Sequence, residues 1–329
     1  MNRLNLVGIG NAIVDVLANV EDAFLDSQDM ERGAMNLIDT ERAKTLYHVM
    51  PPSLEISGGS AANTIVGAAM LDCATAYVGK VCKDQLGQIF IHDIRASGVL
   101  YDGPIVPAGN SLETARSFVL VSPDGERTMN TYLGVSTTLN ADDIDDTLMA
   151  RADWLYLEGY LFDTPEAKDA YAKAINATRS GGGKIAFTVS DPFCVGRHRD
   201  DMLALIRGHV DLLFANEAEV KALIDTDNLE IALGSLARMV DCAAVTLGAE
   251  GAVIVRGDTR TKVAPQAVDV VDTTGAGDLF ASGFLAGLIK GHGDEICAHM
   301  GCIAAGEVIS HLGARPEPVL KELISRQGF

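Results

Sequence analysis

Short, nearly uninterrupted apolar runs alternate with longer segments of helical spacing through most of the 329 residues, and this alternation leaves few folds open. Runs at 4–9, 74–78, 154–158, 184–189, 210–214, 243–247 and 252–255 read as strands, several of them apolar on both faces. Stretches at 61–71, 85–97, 165–179, 199–208, 217–224, 229–240, 276–290 and 294–311 have helical spacing. A strand that is apolar on both faces must be covered twice. The pattern therefore predicts an α/β chain with a mostly parallel central sheet and helices on both sides. Residues 12–53 and 101–137 break the rhythm, being richer in polar and turn residues. In the second stretch, 117–121, the Ser-Pro-Asp-Gly turn at 122–125 and 127–132 predict a hairpin, so the two excursions are expected to form a small antiparallel sheet beside the main one. No linker-like segment or internal repeat interrupts the chain, which predicts one domain over 1–329.

Charge excludes a class of partner. Lys and Arg number 26 against 45 Asp and Glu, a net −19, which argues against nucleic-acid binding through a positive surface. Six cysteines without a C-x-x-C pair read as reduced thiols of a cytoplasmic protein. Cys297, His299 and Cys302 do not complete a zinc spacing. The N-terminal apolar run of six residues is too short for a signal peptide, and the longest uncharged apolar stretch, 279–289, is far below the ~20 residues of a membrane span. The expectation is a monomer or homodimer acting on a small molecule. The 33 glycines, with only ten prolines and no low-complexity tract, must punctuate turns.

The most informative turn is Asp272-Thr273-Thr274-Gly275-Ala276-Gly277-Asp278, which runs into the apolar helix pattern LFASGFLAGLI. A glycine-rich turn opening into a helix leaves the first backbone N–H groups unpaired and converging where the helix dipole is positive. That is an anion hole, and it suits an acidic protein that holds phosphate through uncharged amides. Asp278, in the first helical turn, would place a carboxylate beside the bound phosphate. Such a repulsive neighbour suggests a proton acceptor for an attacking hydroxyl. The plainer alternative is a tight turn with Asp278 complementing the dipole.

Other segments add polar groups at strand ends. Ser57-Gly58-Gly59-Ser60-Ala61-Ala62-Asn63 places two adjacent glycines, which let backbone approach a ligand, before Ser60 and Asn63 one helical turn apart. Ribose hydroxyls would suit them, and Ser60 as an ordinary N-cap is the alternative. Asn216-Glu217-Ala218-Glu219 reads either as a capping box or as carboxylates organising water around magnesium. Thr246, Gly248 and Gly251 mark a turn between strands that would let a flat base lie on the backbone, or that merely makes a hairpin. There is no Walker A sequence, and Gly8-Ile9-Gly10-Asn11-Ala12-Ile13 has Ile13 where a dinucleotide fingerprint needs its third glycine. Asn11 and Asp15 look instead like polar groups facing a ligand crevice.

Together, DTTGAGD at 272–278, GGSAANT at 58–64 and NEAE at 216–219 resemble the motifs of the ribokinase-like family of carbohydrate and nucleoside kinases, in the family's order and over the full chain. The resemblance implies a three-layer α/β/α sandwich with a β-sheet lid, ATP as phosphoryl donor, and Mg2+. It implies Asp278 as catalytic base and the amides of Gly275, Ala276 and Gly277 as the anion hole. It further implies Asp15, Gly59 and Asn63 on substrate hydroxyls, Asn216 and Glu219 organising phosphate and Mg2+, and Thr246, Gly248 and Gly251 lining the ATP site. Asp272 and Thr274 match positions whose carbonyls hold a monovalent cation such as K+ in some members. Ser190-Asp191-Pro192-Phe193 is similar to an adenosine kinase segment whose Phe stacks on adenine, with Asp191 in place of a smaller residue. The implied reaction is phosphoryl transfer to the 5′-hydroxyl of adenosine, the alternative being a kinase of ribose or a related sugar with Phe193 in the core. Arg127, on the expected hairpin, is a candidate for closing over substrate, or a solvated arginine.

Overall fold

The computed structural model describes residues 2–329. Its main sheet has nine strands in the order Thr259–Val263, Ala252–Arg256, Cys242–Thr246, Leu212–Asn216, Lys184–Thr188, Ala152–Glu158, Leu4–Ile9, Thr75–Val78 and Leu100–Tyr101. From Cys242–Thr246 onward every pairing is parallel, and the two strands at the other edge are antiparallel. Alternate residues of a strand face opposite helical layers. Leu6, for example, packs with one layer, while Val7 and Ile9 pack with the other. This is the three-layer sandwich that the strand and helix alternation predicted.

Glycine spacing explains how closely one layer packs. The helices Ala276–Ile289 and Asp294–Val308 touch through Gly283, where a Cβ would lie 2.3 Å from the carbonyl oxygen of Met300. The small residues in the apolar run after Asp278 are thus required by helix–helix approach.

A second, five-stranded sheet has the order Met35–Leu37, Arg127–Tyr132, Ala115–Val121, Ile13–Asn19 and Leu54–Ser57. It has a small core of its own, with Leu25, Leu46, Phe118 and Leu120 buried under the helices Asp22–Ser27 and Thr40–Val49. The expected hairpin is present, with Arg127 opposite Val121. The sheet is mixed rather than antiparallel, because Ile13–Asn19 runs parallel to Ala115–Val121. Its boundaries also differ from those expected. Leu54–Ser57 extends it past residue 53, Tyr101 belongs to the main sheet, and Ile105–Val106 pairs with Val81–Cys82. Among the strands the apolar runs did not mark are Ile13–Asn19 and Thr259–Val263, whose pattern is interrupted by charged and polar residues, and the two- or three-residue strands Met35–Leu37, Val81–Cys82, Leu100–Tyr101 and Ile105–Val106, too short to show a pattern.

All six cysteines are buried free thiols. Among the described residues no group of three or more His, Cys, Asp or Glu could hold a metal ion, and no helix is long and apolar enough to cross a membrane.

Candidate active site

A cleft of about 750 Å³ opens between the C-terminal ends of the main-sheet strands and the second sheet. It is lined by Asp15, Gly59, Ser60, Asn63, Asn216, Glu219, Thr246, Gly248, Thr274, Gly275, Ala276, Gly277 and Asp278. Residues separated by more than two hundred positions therefore share one wall, as expected where parallel strands end and their connections begin.

The helix Ala276–Ile289 starts at Gly275, whose φ of +80° is easily reached only by glycine. A Cβ there would also stand 2.9 Å from that of Ala314, whereas nothing lies within 4 Å of the Cβ position of Gly277, which faces open cleft. The Ala276 N–H donates to the Thr273 carbonyl at 3.3 Å, which leaves the N–H groups of Gly277 and Asp278 at the start of this fourteen-residue helix beside the open cleft, a geometry suited to an anion. Asp278 stands in that first turn. Ser60 Oγ donates to its Oδ1 at 2.6 Å and Asn63 Nδ2 to its Oδ2 at 2.9 Å, while the Thr64 hydroxyl donates to its main-chain carbonyl at 3.0 Å. Burial pushes the Asp278 carboxyl up to about 6, against the two side-chain hydrogen bonds and Arg315, which favour the ionised form. A carboxylate poised near neutrality beside an anion hole can accept a proton from a hydroxyl placed between them.

Gly59 precedes the helix Ser60–Met70 at φ +88°, and a Cβ on it would meet the Asn11 carbonyl oxygen at 2.4 Å. Gly58 packs flat against the Asp15 carboxylate. Asp15 is raised to about 7 by burial and by Asp278, with Arg315 and Arg127 opposing. Asn11 and Gly58 support this wall but do not line the cleft. The Asn11 side chain and backbone N–H both donate to Glu158 Oε1, at 3.0 and 2.8 Å.

Asn216 and Glu219 form the anticipated capping box, with the Asn216 N–H and Nδ2 both donating to the Glu219 carboxylate. Burial, together with Asp191 and Asp278, raises Glu219 to about 7. Gly251, at φ +87°, turns the chain against the Val263 carbonyl and lies outside the cleft lining. Arg127 pairs with Asp272 and with the Thr274 hydroxyl, tying the second sheet to the anion-hole turn. The Asp272 carboxylate also accepts from the N–H groups of Thr274 and Gly313, both at 2.7 Å, so it is a turn-fixing residue.

Phe193 departs from expectation. A helix begins at Pro192, capped by Asp191, whose Oδ1 accepts from the Cys194 N–H at 2.7 Å. Phe193 falls in its first turn, 77% exposed and neither in the cleft lining nor in the core. The cap explains the carboxylate at 191, and Tyr160, Thr188 and Ser190 form that side of the cleft instead.

Two charged residues that support the cleft wall from behind escaped sequence reading. Glu158 is wholly buried at the end of a central strand, and its Oε2 accepts from the Ala61 N–H at 2.8 Å. Arg315 donates to the carbonyls of Ser57, Gly58 and Ala62. Neither stands in a recognisable motif, and each is identified by what it touches.

Residues 51–320 match the pfkB family carbohydrate kinase model. The chain belongs to that family. A crystal structure of a probable sugar kinase from Rhizobium etli superposes with a TM-score of 0.93 at 46% identity, covering 100% of this chain and 99% of the other. Adenosine kinase from Sinorhizobium meliloti has the same TM-score and identity, with 99% and 100% covered. Adenosine kinase of Saccharomyces cerevisiae is 28% identical over 331 residues, spanning 94% of this chain and 95% of its own. This pfkB-family protein is therefore a phosphotransferase with an alcohol acceptor, on the adenosine kinase-like side of the family, and its substrate is a nucleoside or a sugar. The family implies ATP and a divalent metal.

Proposed function

We propose that this kinase transfers the γ-phosphoryl group of ATP to the 5′-hydroxyl of adenosine, giving AMP. The grip of Ser60 and Asn63 on Asp278 carries the reading, because it fixes a carboxylate at the anion hole and leaves Asp15 and Gly59 beside it for the hydroxyls of a ribose. Asp278 aligns the acceptor hydroxyl and takes its proton, and the amides of residues 275–277 receive the charge of the moving phosphoryl group. The 46% identity to an adenosine kinase over essentially the whole chain supports adenosine as acceptor.

Both Glu219 oxygens already accept from Asn216, which suits contact through water and not direct ligation. This fits Mg2+ carried on the nucleotide, since the ion keeps most of its waters and needs few protein ligands. When bound, the ion neutralises phosphate charge. The main-chain carbonyls of Asp272 and Thr274 are the proposed ligands of K+, tested by turnover in potassium against choline chloride. We assign Thr246 and Gly248 to the ATP side of the cleft. The second sheet, held to the anion-hole turn through Arg127, acts as a lid on a single-domain enzyme and excludes water from the phosphoryl group. Six unpaired cysteines support a cytoplasmic setting.

The exposure of Phe193 favours a second reading, a kinase of ribose or a related sugar, because a purine then lacks the stacking face that the sequence offered. ATP·Mg2+ assayed against adenosine, other nucleosides, ribose and fructose decides between them. Adenosine turned over with the highest kcat/KM supports the proposal, and preference for a free sugar overturns it.

A further inference from the structure

The segment at 309–315 touches both halves of the cleft. The Ile309 carbonyl accepts from the N–H groups of Val271 and Asp272, and the Gly313 N–H donates to the Asp272 carboxylate. Ala314 packs against Gly275 and lines the cleft. The next side chain leaves the anion-hole turn and crosses to the Gly58-Gly59 turn. Arg315 Nε donates to the Ser57 carbonyl at 2.6 Å, Nη1 to that of Ala62 at 2.9 Å, and Nη2 to that of Gly58 at 3.0 Å. Its guanidinium does not line the cleft.

We infer that Arg315 is a positioning residue that fixes the acceptor-binding turn at residues 57–63 relative to the anion hole at 275–278. The planar fork is what the task requires, since three carbonyls in different directions are held by one rigid group that a lysine ammonium cannot reproduce. Ser60 and Asn63 reach Asp278 from the helix that this turn begins, so rotation of the turn would displace both the base and the hydroxyl it serves. Misplacement of about 1 Å costs phosphoryl transfer about 100-fold without touching the chemistry. The same guanidinium is the positive group facing Asp278, whose other polar neighbours are Ser60, Asn63, Asp15, Glu158, Glu219, Tyr156 and Tyr160. Burial lowers Arg315 itself to about 10, so it stays charged through neutral pH.

The inference rests on the proposed kinase reading, and the test separates the two. Arg315→Met and Arg315→Lys are compared with wild type in kcat, in KM for acceptor and for ATP·Mg2+, in the acid limb of the kcat profile, and in melting temperature. The expected result for Arg315→Met is a loss of about 100-fold in kcat/KM for acceptor with KM for ATP within about twofold. Its acid limb should move to higher pH. Arg315→Lys should restore the position of the limb, because it keeps the charge, but only part of the acceptor term. Should Arg315→Met fail to fold, the split in Arg315→Lys decides. Unchanged acceptor kinetics in a folded variant, or an equal loss on both substrates with an unmoved limb, overturns the inference. A wild-type enzyme silent on every acceptor overturns the proposed function instead.

Discussion

Ser60 Oγ donates to Asp278 Oδ1 at 2.6 Å, joining residues 218 positions apart in the chain. The bond fixes one carboxylate oxygen and favours its ionised form, while Asn63 does the same for the other. Removing either donor should therefore raise the Asp278 pKa. In Ser60→Ala or Asn63→Ala the acid limb of kcat, expected near pH 6 in the wild type, moves upward, and kcat at neutral pH falls about tenfold. The pH dependence of kcat checks this, and a limb that stays in place refutes it.

Asp278→Asn keeps the shape of the site and removes the proton acceptor. Turnover should drop about 10²- to 10⁴-fold while acceptor affinity, measured by calorimetry, stays close to wild type. Near-normal turnover would remove Asp278 from the mechanism.

Gly275 and Gly277 should respond differently to the same change. Gly275→Ala forces a side chain to φ +80° and into Ala314, and should lower stability by about 1–2 kcal/mol from the backbone alone. Gly277→Ala has open space for its methyl group, so the melting temperature should hold while the methyl intrudes on the phosphate position and catalytic efficiency with ATP falls about tenfold. Thermal melts paired with kinetics distinguish them.

Buried carboxylates set the pH dependence of stability. Burial raises Asp15, Glu158 and Glu219 each to about 7, so the folded protein binds protons there more tightly than the unfolded chain does. Their contribution is complete below the ordinary carboxylate range and is lost as pH rises through about 7. The ligand-free melting temperature should accordingly rise as pH is lowered from 8 to 6. Glu158→Gln should flatten that slope, and a wild-type profile that falls over this range would contradict the assignment.

The fold and the glycine turn that opens the helix Ala276–Ile289 were legible because they are local. Apolar runs such as Leu4–Ile9 must be buried on both faces, and Gly275 before Ala276–Ile289 signals a bare helix N-terminus from sequence neighbours alone. The resemblance that put Phe193 on a base does not match its place here, where Asp191 caps a helix whose first turn leaves the ring in solvent. Strands at the rim, such as Ile13–Asn19, carry charged groups toward the cleft and lose the apolar pattern that would announce them. Tertiary structure alone decided that Ser60 and Asn63 hold Asp278, that Glu158 takes the Ala61 and Asn11 donors, and that Arg315 spans the two turns. No spacing rule reaches these pairs, because a buried charge is satisfied by whichever partner the folded chain brings near it, at any separation in sequence.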